Sequence, residues 1–127
     1  FNGFIKALKL PKNTEEEAAE REKAIEDATL GAATVPHRVA GLAMQVLRLA
    51  VSAVEYGNLN AISDGASAAN LAIAAIRSAA LNVKINRKGL RNPQAADGLM
   101  ADIRGIEEEI AVFEQRITRI LEERAQF

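Results

Sequence analysis

The sequence contains no cysteine, no tryptophan and a single histidine among its 127 residues. Without cysteine there are no disulfides and no thiolate metal sites, which fits a reducing compartment, so we predict a cytoplasmic protein. One histidine cannot form a multi-histidine metal site. HExxH, CxxC, GxSxG, P-loop and GxGxxG patterns are also absent, which argues against zinc proteases, thiol oxidoreductases, serine hydrolases and nucleotide-binding enzymes. The sequence therefore predicts no metal ion and no cofactor.

Neither sign of charge predominates, because the formal net charge is −1 and the isoelectric point is about 5.9. No general basic field attracts a polyanion, so we expect neither a nucleic-acid nor a membrane partner. The longest nearly uncharged stretch, residues 59–76, contains Ser63, Asp64 and Asn70, which hydrocarbon would tolerate poorly. We read it as a buried helix of a soluble protein, and the N-terminus shows no signal-peptide pattern.

Apolar residues make up 49% of the chain, but aromatic residues only 4%. The core must therefore be built from Ala, Leu, Ile and Val, and such small side chains suit closely approaching helices. The length is that of one domain. We predict one all-α domain over residues 1–127, an Ala-rich multi-helix bundle without strands, and a homodimer because a small bundle leaves apolar faces uncovered.

Breaks in the helical pattern divide the chain. A first helix should end at Pro11, and Thr14 with Glu17 has the register of a capping box at the start of a second. Pro36 should kink or end that helix, and Gly57 should end the following one. Gly89 and Pro93 mark the last break. The final helix carries an apolar seam at nearly heptad spacing, formed by Leu99, Ile103, Ile106, Ile110, Phe113, Ile117 and Leu121.

The polar segment from Gly57 to Asp64 lies between two strongly apolar helices. One interpretation is helix punctuation, in which Gly57 ends one helix and Ser63 or Asp64 caps the next. The other is a polar pocket at the mouth of the bundle, where bundles place ligands. Spacing alone favours the first interpretation.

Asn82 and Asn86 share one face of an otherwise apolar helix. Buried amides need partners, so a structural hydrogen bond to another helix is one interpretation. The alternative is an amide pair that binds a heterocycle with matching donors and acceptors.

Other polar residues have simple interpretations. His37 is expected to be a solvated or interhelical residue rather than a proton shuttle. Lys12, Arg21 and Lys23 are expected to pair on the surface, for example Arg21 with Glu17. The acidic run 107–109 should be a solvated face.

Taken together, several stretches resemble the cyclodeaminase domain of formiminotransferase-cyclodeaminase and its single-domain relatives, the methenyltetrahydrofolate cyclohydrolases. The stretches are Leu10-Pro11-Lys12-Asn13-Thr14-Glu15-Glu16-Glu17 with Arg21, Val35-Pro36, Gly57-Asn58 with Ser63-Asp64, and Asn82-Val83 with Ile85-Asn86. They occur in the family's order across residues 1–86. The last helix matches only as an amphipathic tail.

The resemblance implies an all-helical homodimeric enzyme acting on the one-carbon bridge of a reduced folate, without a metal or redox cofactor. Cyclodeaminases close the formimino form to the methenyl form with loss of ammonia, and cyclohydrolases open the methenyl form with water. The family's Gly-rich N-terminal helical segment, and an acidic residue just ahead of the position matching Phe1, are missing from the sequence. We therefore expect the C-terminal portion of the family domain, with part of the active site lacking.

Site roles follow from the resemblance together with side-chain chemistry. Asp64 is the candidate catalytic residue, which would accept or orient a proton. Asn58, Asn82 and Asn86 would bind the pterin edge or position the attacking group. Lys12 and Arg21 would meet the anionic glutamate tail. His37 is not assigned a role, because the family often has an aliphatic residue there.

Two other functions compete with the folate enzyme. A non-enzymatic interaction module would use the heptad-like tail for oligomerisation. A nucleic-acid binder is disfavoured, since the basic residues are scattered and few aromatic residues could stack. Convergence of Asn58, Asp64, Asn82 and Asn86 on one pocket would favour the enzyme.

Overall fold

Residues 2–126 are described by a computed structural model, and every regular element in that range is helical. The α-helices are α1 (Asn2–Leu8), α2 (Glu15–Tyr56), α3 (Ile62–Arg87) and α4 (Pro93–Ala125), with a short 3-10 helix at Leu59–Ala61 before α3. The predicted all-α, Ala-rich bundle is therefore confirmed. Phe1, which the predicted first helix included, lies outside the described residues.

Helix α2 begins where the capping-box pattern predicts. The Thr14 hydroxyl accepts a hydrogen bond from the Glu17 amide at 3.2 Å. The Glu17 carboxylate accepts from the amide of Asn13 at 2.8 Å, so the return bond reaches one residue ahead of the N-cap. The Arg21 guanidinium donates twice to the Leu8 carbonyl at 3.3 Å. This contact replaces the expected pairing with Glu17 and fixes the end of α1 against α2.

Pro36 lies inside α2, which runs for 42 residues without ending there. Of the two predicted effects of Pro36, a kink or an end of the helix, the second is therefore wrong. Proline has no N–H to donate to the carbonyl four residues earlier, which here is that of Ala32. The side-chain amide of Asn86 on α3 donates to this carbonyl at 3.1 Å and takes the place of the missing bond. Tertiary structure thus compensates for the helix breaker.

Helices α2 and α3 form a long antiparallel pair with small residues at the contact. Facing positions are marked by three contacts: Gly65 lies against Val54, Gly89 against Thr29, and Asn86 against Ala32. A Cβ atom on either glycine would come within 3.0 Å of its neighbour's methyl group. These contacts fix which residues of the two helices lie at the same height.

The α2–α3 connection departs from the predicted capping. Helix α3 begins at Ile62, and its N-cap is Ala61, which makes no side-chain hydrogen bond. The interpretation of Ser63 or Asp64 as the cap is therefore wrong, because the 3-10 helix leads directly into α3. Gly57 does end α2 as expected, with a φ of −75°.

Helix α4 closes the bundle on one side of the α2–α3 pair. Its Ile103 and Ile110 are fully buried with Leu47 of α2 and Ile76 of α3, which confirms the predicted seam. Polar contacts flank it: His37 and Asp102 are hydrogen-bonded at 3.0 Å. Glu109 forms an ion pair with Arg48 at 2.7 Å, and Arg116 forms one with Glu55.

The run 107–109 is not simply solvated, contrary to expectation. Glu107 meets Lys84 at 2.6 Å and Glu109 meets Arg48, so two of its three carboxylates link helices. The heptad spacing of α4 brings these flanking carboxylates toward the neighbouring helices.

The side of the α2–α3 pair away from α4 is largely uncovered within the described residues, with Gly3 and Phe4 of α1 beside it at one end, and we call it the apolar face. It consists of a stripe on α2 (Val35, Val39, Leu42, Val46, Leu49 and Tyr56) and the adjacent side of α3 (Ala68, Leu71, Ala75, Ser78 and Asn82). From Val35 to Leu49 the stripe residues recur at steps of three and four, and Tyr56 follows seven residues later, so they line one side of α2. Leu49 and Leu71 are 72% and 73% exposed.

Two segments, Glu15–Tyr56 and Leu59–Arg87, contain windows long and apolar enough to cross a membrane by length and composition. This is weak support for a membrane protein, because core helices of soluble bundles pass the same test. Only about a third of each window is buried in the bundle.

Candidate functional site

A cavity opens at one end of the apolar face, between α1, α2 and α3. Its volume is about 730 Å³, which is in the range of small-molecule sites. Its walls are mainly Ala, Gly, Val and Pro, and its polar side chains are Ser78 and Asn82. The lining residues are Gly3, Phe4, Ala28, Gly31, Ala32, Val35, Pro36, Val39, Ala75, Ser78, Ala79 and Asn82. The cavity exists because the side chains that line it are small, and Asn82 can form directional hydrogen bonds with a molecule inside it.

Asn82 is exposed to this cavity, and its amide is only partly engaged. Its Nδ2 donates to the Ser78 carbonyl at 2.9 Å, one turn earlier in α3. One N–H and the Oδ1 acceptor remain available, a pair that matches an amide-like edge of a heterocycle.

Asn86 lies one turn beyond Asn82, but its donors are used inside the protein. Its Nδ2 donates to the carbonyls of Ala32 and Asn82, at 3.1 and 2.9 Å. As predicted, Asn82 and Asn86 lie close together on α3. Asn82 faces the cavity, whereas the side-chain amide of Asn86 is bonded to two backbone carbonyls. Asn86 has the structural hydrogen bond of the first interpretation, and it holds the wall that carries Asn82.

Asp64 and Asn58 lie at the opposite end of α3 from the cavity. Asp64 is exposed in the first turn of α3. The side chain of Asn58 accepts a hydrogen bond from the Asn60 amide at 3.0 Å and caps the 3-10 helix. Asp64 precedes Asn82 by 18 residues, which is about 27 Å along a helix. Within one chain the four polar residues thus form two groups rather than one pocket.

The same 18 residues make five full helical turns, so Asp64 and Asn82 project from the same side of α3. That side is the apolar face. The two groups lie at its two ends, separated by Leu71 and Ala75.

Lys12 and Arg21 lie beyond the cavity end of the bundle. Lys12 is exposed in the α1–α2 connection, and Arg21 is engaged with the Leu8 carbonyl. Arg21 is 11 residues before Ala32, or about 16 Å along α2. The structure does not bring these cations to Asn82.

A cation that sequence reasoning missed lies closer to Asn82. A neighbouring groove of about 440 Å³ shares Asn82 and is lined by Leu81, Lys84, Ile85 and Lys88. Lys84 is paired with Glu107, whereas no ion-pair partner of Lys88 is present among residues 2–126. The signal in the sequence was the basic C-terminal end of α3, which Lys88 follows directly.

Residues of α1 were also missed, since Gly3 and Phe4 contribute to the cavity wall. Their helix is short, and nothing in the local pattern indicated its packing site. His37, as expected of an interhelical residue, contacts Asp102 across the bundle and away from the cavity.

Metal-ligating side chains do not cluster in the part of the chain that the structure covers. No group of three or more His, Asp or Glu side chains there is arranged to hold an ion. The chemistry open to these residues is hydrogen bonding, charge stabilisation and proton transfer.

Comparison with known proteins agrees with this architecture. Residues 1–105 match the model of the formiminotransferase-cyclodeaminase family. Over 117 residues, or 92% of the chain, the sequence is 39% identical to a protein of Methylorubrum extorquens named methenyltetrahydrofolate cyclohydrolase. The chain covers 56% of that relative's length. With most of its length matched at this level, the chain belongs to the formiminotransferase-cyclodeaminase family.

Proposed function

We propose that the protein acts on the one-carbon bridge of a reduced folate, as a methenyltetrahydrofolate cyclohydrolase. The observation that carries this proposal is the partly engaged amide of Asn82 on an apolar cavity of suitable size, in a chain similar to a protein of that name. An apolar cavity accommodates the face of a pterin, and an amide pairs with its donor and acceptor edge.

The proposed reaction adds water to the cationic methenyl carbon. The carbon–N5 bond then breaks, N10 keeps the resulting formyl group, and one proton is released. A carboxylate that accepts a proton from the attacking water would accelerate the step, which is the role proposed for Asp64. Asn82 would hold the pterin, and Lys88 would meet a carboxylate of the glutamate tail in place of the distant Lys12 and Arg21.

A cyclodeaminase is the second candidate, and the description of the matching family favours it. There N10 attacks the formimino carbon and ammonia leaves, a lyase reaction whose product is the methenyl form that the cyclohydrolase would open. Both reactions need a positioned folate and a proton-transfer group, so the same residues would serve. In neither do we propose a metal or redox cofactor.

We further propose a cytoplasmic homodimer, with neither nucleic acid nor membrane as a partner. The absence of cysteine suits a reducing compartment, and the largely uncovered apolar face suits a protein partner. A module that oligomerises through its tail is less well supported. Ile103, Ile110 and Ile117 of α4 are buried in their own bundle and are not free to bind another chain.

The test is a direct assay of the purified protein with 5,10-methenyltetrahydrofolate, following loss of the methenyl absorbance above the uncatalysed rate. Asn82→Ala should raise the KM, while the matched exposed change Asn70→Ala on the same helix should leave it unchanged. Absence of turnover with the methenyl form, together with ammonia release from the formimino form, would identify the deaminase instead. Inactivity on both, with no folate binding by calorimetry, would refute the proposal.

A further inference from the structure

The polar segment Gly57–Asp64 begins at a position that requires glycine. A Cβ atom at Gly57 would collide with the Ala53 carbonyl oxygen, so a larger residue would need a shift of the backbone. Glycine lacks the Cβ that restricts φ and ψ, so the chain is intrinsically least restrained at the start of the segment. Asn58 follows directly. The direction of its side chain therefore depends on what holds Gly57.

One side chain of α4 holds two carbonyl groups at this end of α2. Arg124 donates through Nη1 to the Val54 carbonyl, and through Nη2 to the Gly57 carbonyl at 2.9 Å. The Val54 carbonyl is one of the last four of α2, and such carbonyls lack a regular partner within the helix. The Gly57 carbonyl shares a planar peptide group with the Asn58 amide. Holding its oxygen therefore fixes the direction in which the chain enters Asn58.

The charge of Arg124 also suits its place. The C-terminal end of a helix carries partial negative charge, and the last turn of α2 contains no basic residue of its own. It contains Glu55 instead, which pairs with Arg116 of α4. Arg116, Ile120 and Arg124 follow one another at steps of four, so they lie on one side of α4. That side supplies both cations to the end of α2.

A small apolar cluster fixes the same end of α4 against the two other helices. It joins the last turn of α2, the first turns of α3 and the last turns of α4, and it is separate from the main core. Its buried members are Val54, Ile62, Ala66 and Ile120. Asp64 lies between two members of this cluster in the sequence. The cluster therefore holds the backbone on both sides of the polar segment, while Arg124 holds the start of the segment.

Hydrogen bonds inside the segment depend on the orientation of Asn58. Its side-chain oxygen accepts from the Asn60 amide and its backbone oxygen accepts from the Ala61 amide, both at 3.0 Å. Rotation of the Gly57–Asn58 peptide would move both acceptors. The amides of Asn60 and Ala61 therefore report whether Gly57 is held.

We propose that Arg124 is a positioning residue of the proposed active site, and that it holds Gly57–Asp64 in the conformation that presents Asn58 and Asp64. The roles of those two residues rest on the function proposed above. The restraint of the segment by Arg124 is independent of that function. Arg124 lies beyond the match to the family model, which ends at residue 105. The last turns of α4 thus serve activity as well as stability.

Amide hydrogen exchange, followed by NMR, tests the restraint. In Arg124→Gln, exchange at Asn60 and Ala61 should accelerate about tenfold, because local opening no longer breaks the two hydrogen bonds to Arg124. Arg119→Gln is the matched control on the same helix, since Arg119 is exposed and its acidic neighbour Glu123 is 3.9 Å away. It should leave exchange at both amides unchanged. Unchanged exchange in Arg124→Gln would overturn the proposal.

Turnover of 5,10-methenyltetrahydrofolate tests the effect on the reaction. The kcat of Arg124→Gln should fall by about 10-fold to 100-fold, the usual cost of misplacing a reacting group. The KM should change by less than about twofold, because Asn82 and the cavity lie about 27 Å away along α3. A wild-type kcat together with faster exchange would overturn the proposal, since the segment would then move without consequence for turnover.

Two further variants separate positioning from stability and from charge. Ile120→Val shortens a buried side chain of the same cluster and should lower the melting temperature while leaving kcat unchanged. Equal losses of kcat in Ile120→Val and Arg124→Gln at equal melting temperatures would leave Arg124 a stabilising residue only. Arg124→Lys, which also serves if the glutamine variant does not fold, keeps the charge but offers one nitrogen in place of two. It should lower kcat less than Arg124→Gln does, and wild-type exchange and turnover in it would reduce the effect to charge alone.

Failure of the proposed function would look different from failure of this inference. If wild type converts no folate but exchange at Asn60 and Ala61 still responds to Arg124→Gln, the restraint stands and the proposed reaction fails. If wild type is active and Arg124→Gln changes neither exchange nor kcat, the reaction stands and Arg124 has no positioning role.

Discussion

The hydrogen bond from Asn86 to the Ala32 carbonyl should contribute most to the free energy of unfolding when Pro36 is present. Removing the side chain by Asn86→Ala leaves that carbonyl without its donor inside a long helix. Loss of the partner of a half-buried carbonyl costs about 1–2 kcal/mol. The second bond of Asn86 should contribute little, because the Asn82 carbonyl can also accept from the helix backbone. With a urea dependence of about 1.5 kcal/mol per molar, the unfolding midpoint should fall by about 1 M.

Pro36→Ala restores the missing backbone donor and so makes the side-chain bond redundant. In that background Asn86→Ala should cost less than about 0.5 kcal/mol, giving a coupling energy of about 1 kcal/mol in a double-mutant cycle. The assay is urea unfolding followed by circular dichroism at one fixed protein concentration, because assembly shifts apparent stability. Asn70→Ala on the same helix controls for the better helix propensity of alanine. Equal costs of Asn86→Ala in both backgrounds would refute the proposed compensation.

Three further predictions concern a carboxylate, a glycine and the proposed catalytic acid. Backbone N–H groups of Arg91 and Asn92 bind the Glu26 carboxylate and hold its pKa below its ordinary value of 4.5. Its stabilising contribution is therefore full above that value and lost as pH falls through the lowered pKa, so Glu26→Gln should flatten the acid dependence of the thermal midpoint below about pH 4.5. A Cβ atom at Gly57 would lie 2.3 Å from the Ala53 carbonyl oxygen, so Gly57→Ala should cost about 1–3 kcal/mol in a thermal melt, whereas Gly105→Ala, which meets no atom, should not destabilise. Asp64→Asn should lower turnover by about 100-fold with an unchanged melt; full activity would reassign the acid.

The helices were predictable because their signals are local. Thr14 and Glu17 cap α2, Pro93 occupies the first position of α4, and the apolar seam of α4 recurs at nearly heptad spacing; all three patterns act within a few residues. The continuity of α2 through Pro36 was not predictable. It depends on Asn86, 50 residues later, whose contact exists only after α3 has packed.

In the candidate site, too, the features set by local spacing were predictable and those set by tertiary contacts were not. The helical spacing of Asn82 and Asn86 correctly placed them on one face, since that follows from 3.6 residues per turn. Which of the two could meet a ligand depended on tertiary hydrogen bonds that no spacing encodes. The remoteness of Asp64 and Arg21 from the cavity follows from the lengths of α2 and α3, and the assigned roles of the site residues remain predictions.

The ion pairs between α2 and α4 have a consequence for folding accuracy. Because the apolar seam of α4 repeats about every seven residues, sliding α4 by one heptad would leave its hydrophobic contacts nearly unchanged. The charges on that edge are not periodic, since Asp102 and Glu109 are acidic whereas Arg116 is basic. A slide in one direction would bring Arg116 against Arg48, and a slide in the other would bring Glu109 against Glu55. Exposed pairs that add at most about 1 kcal/mol each to stability can still select a single alignment of the helix, because every alternative converts an attraction into a repulsion.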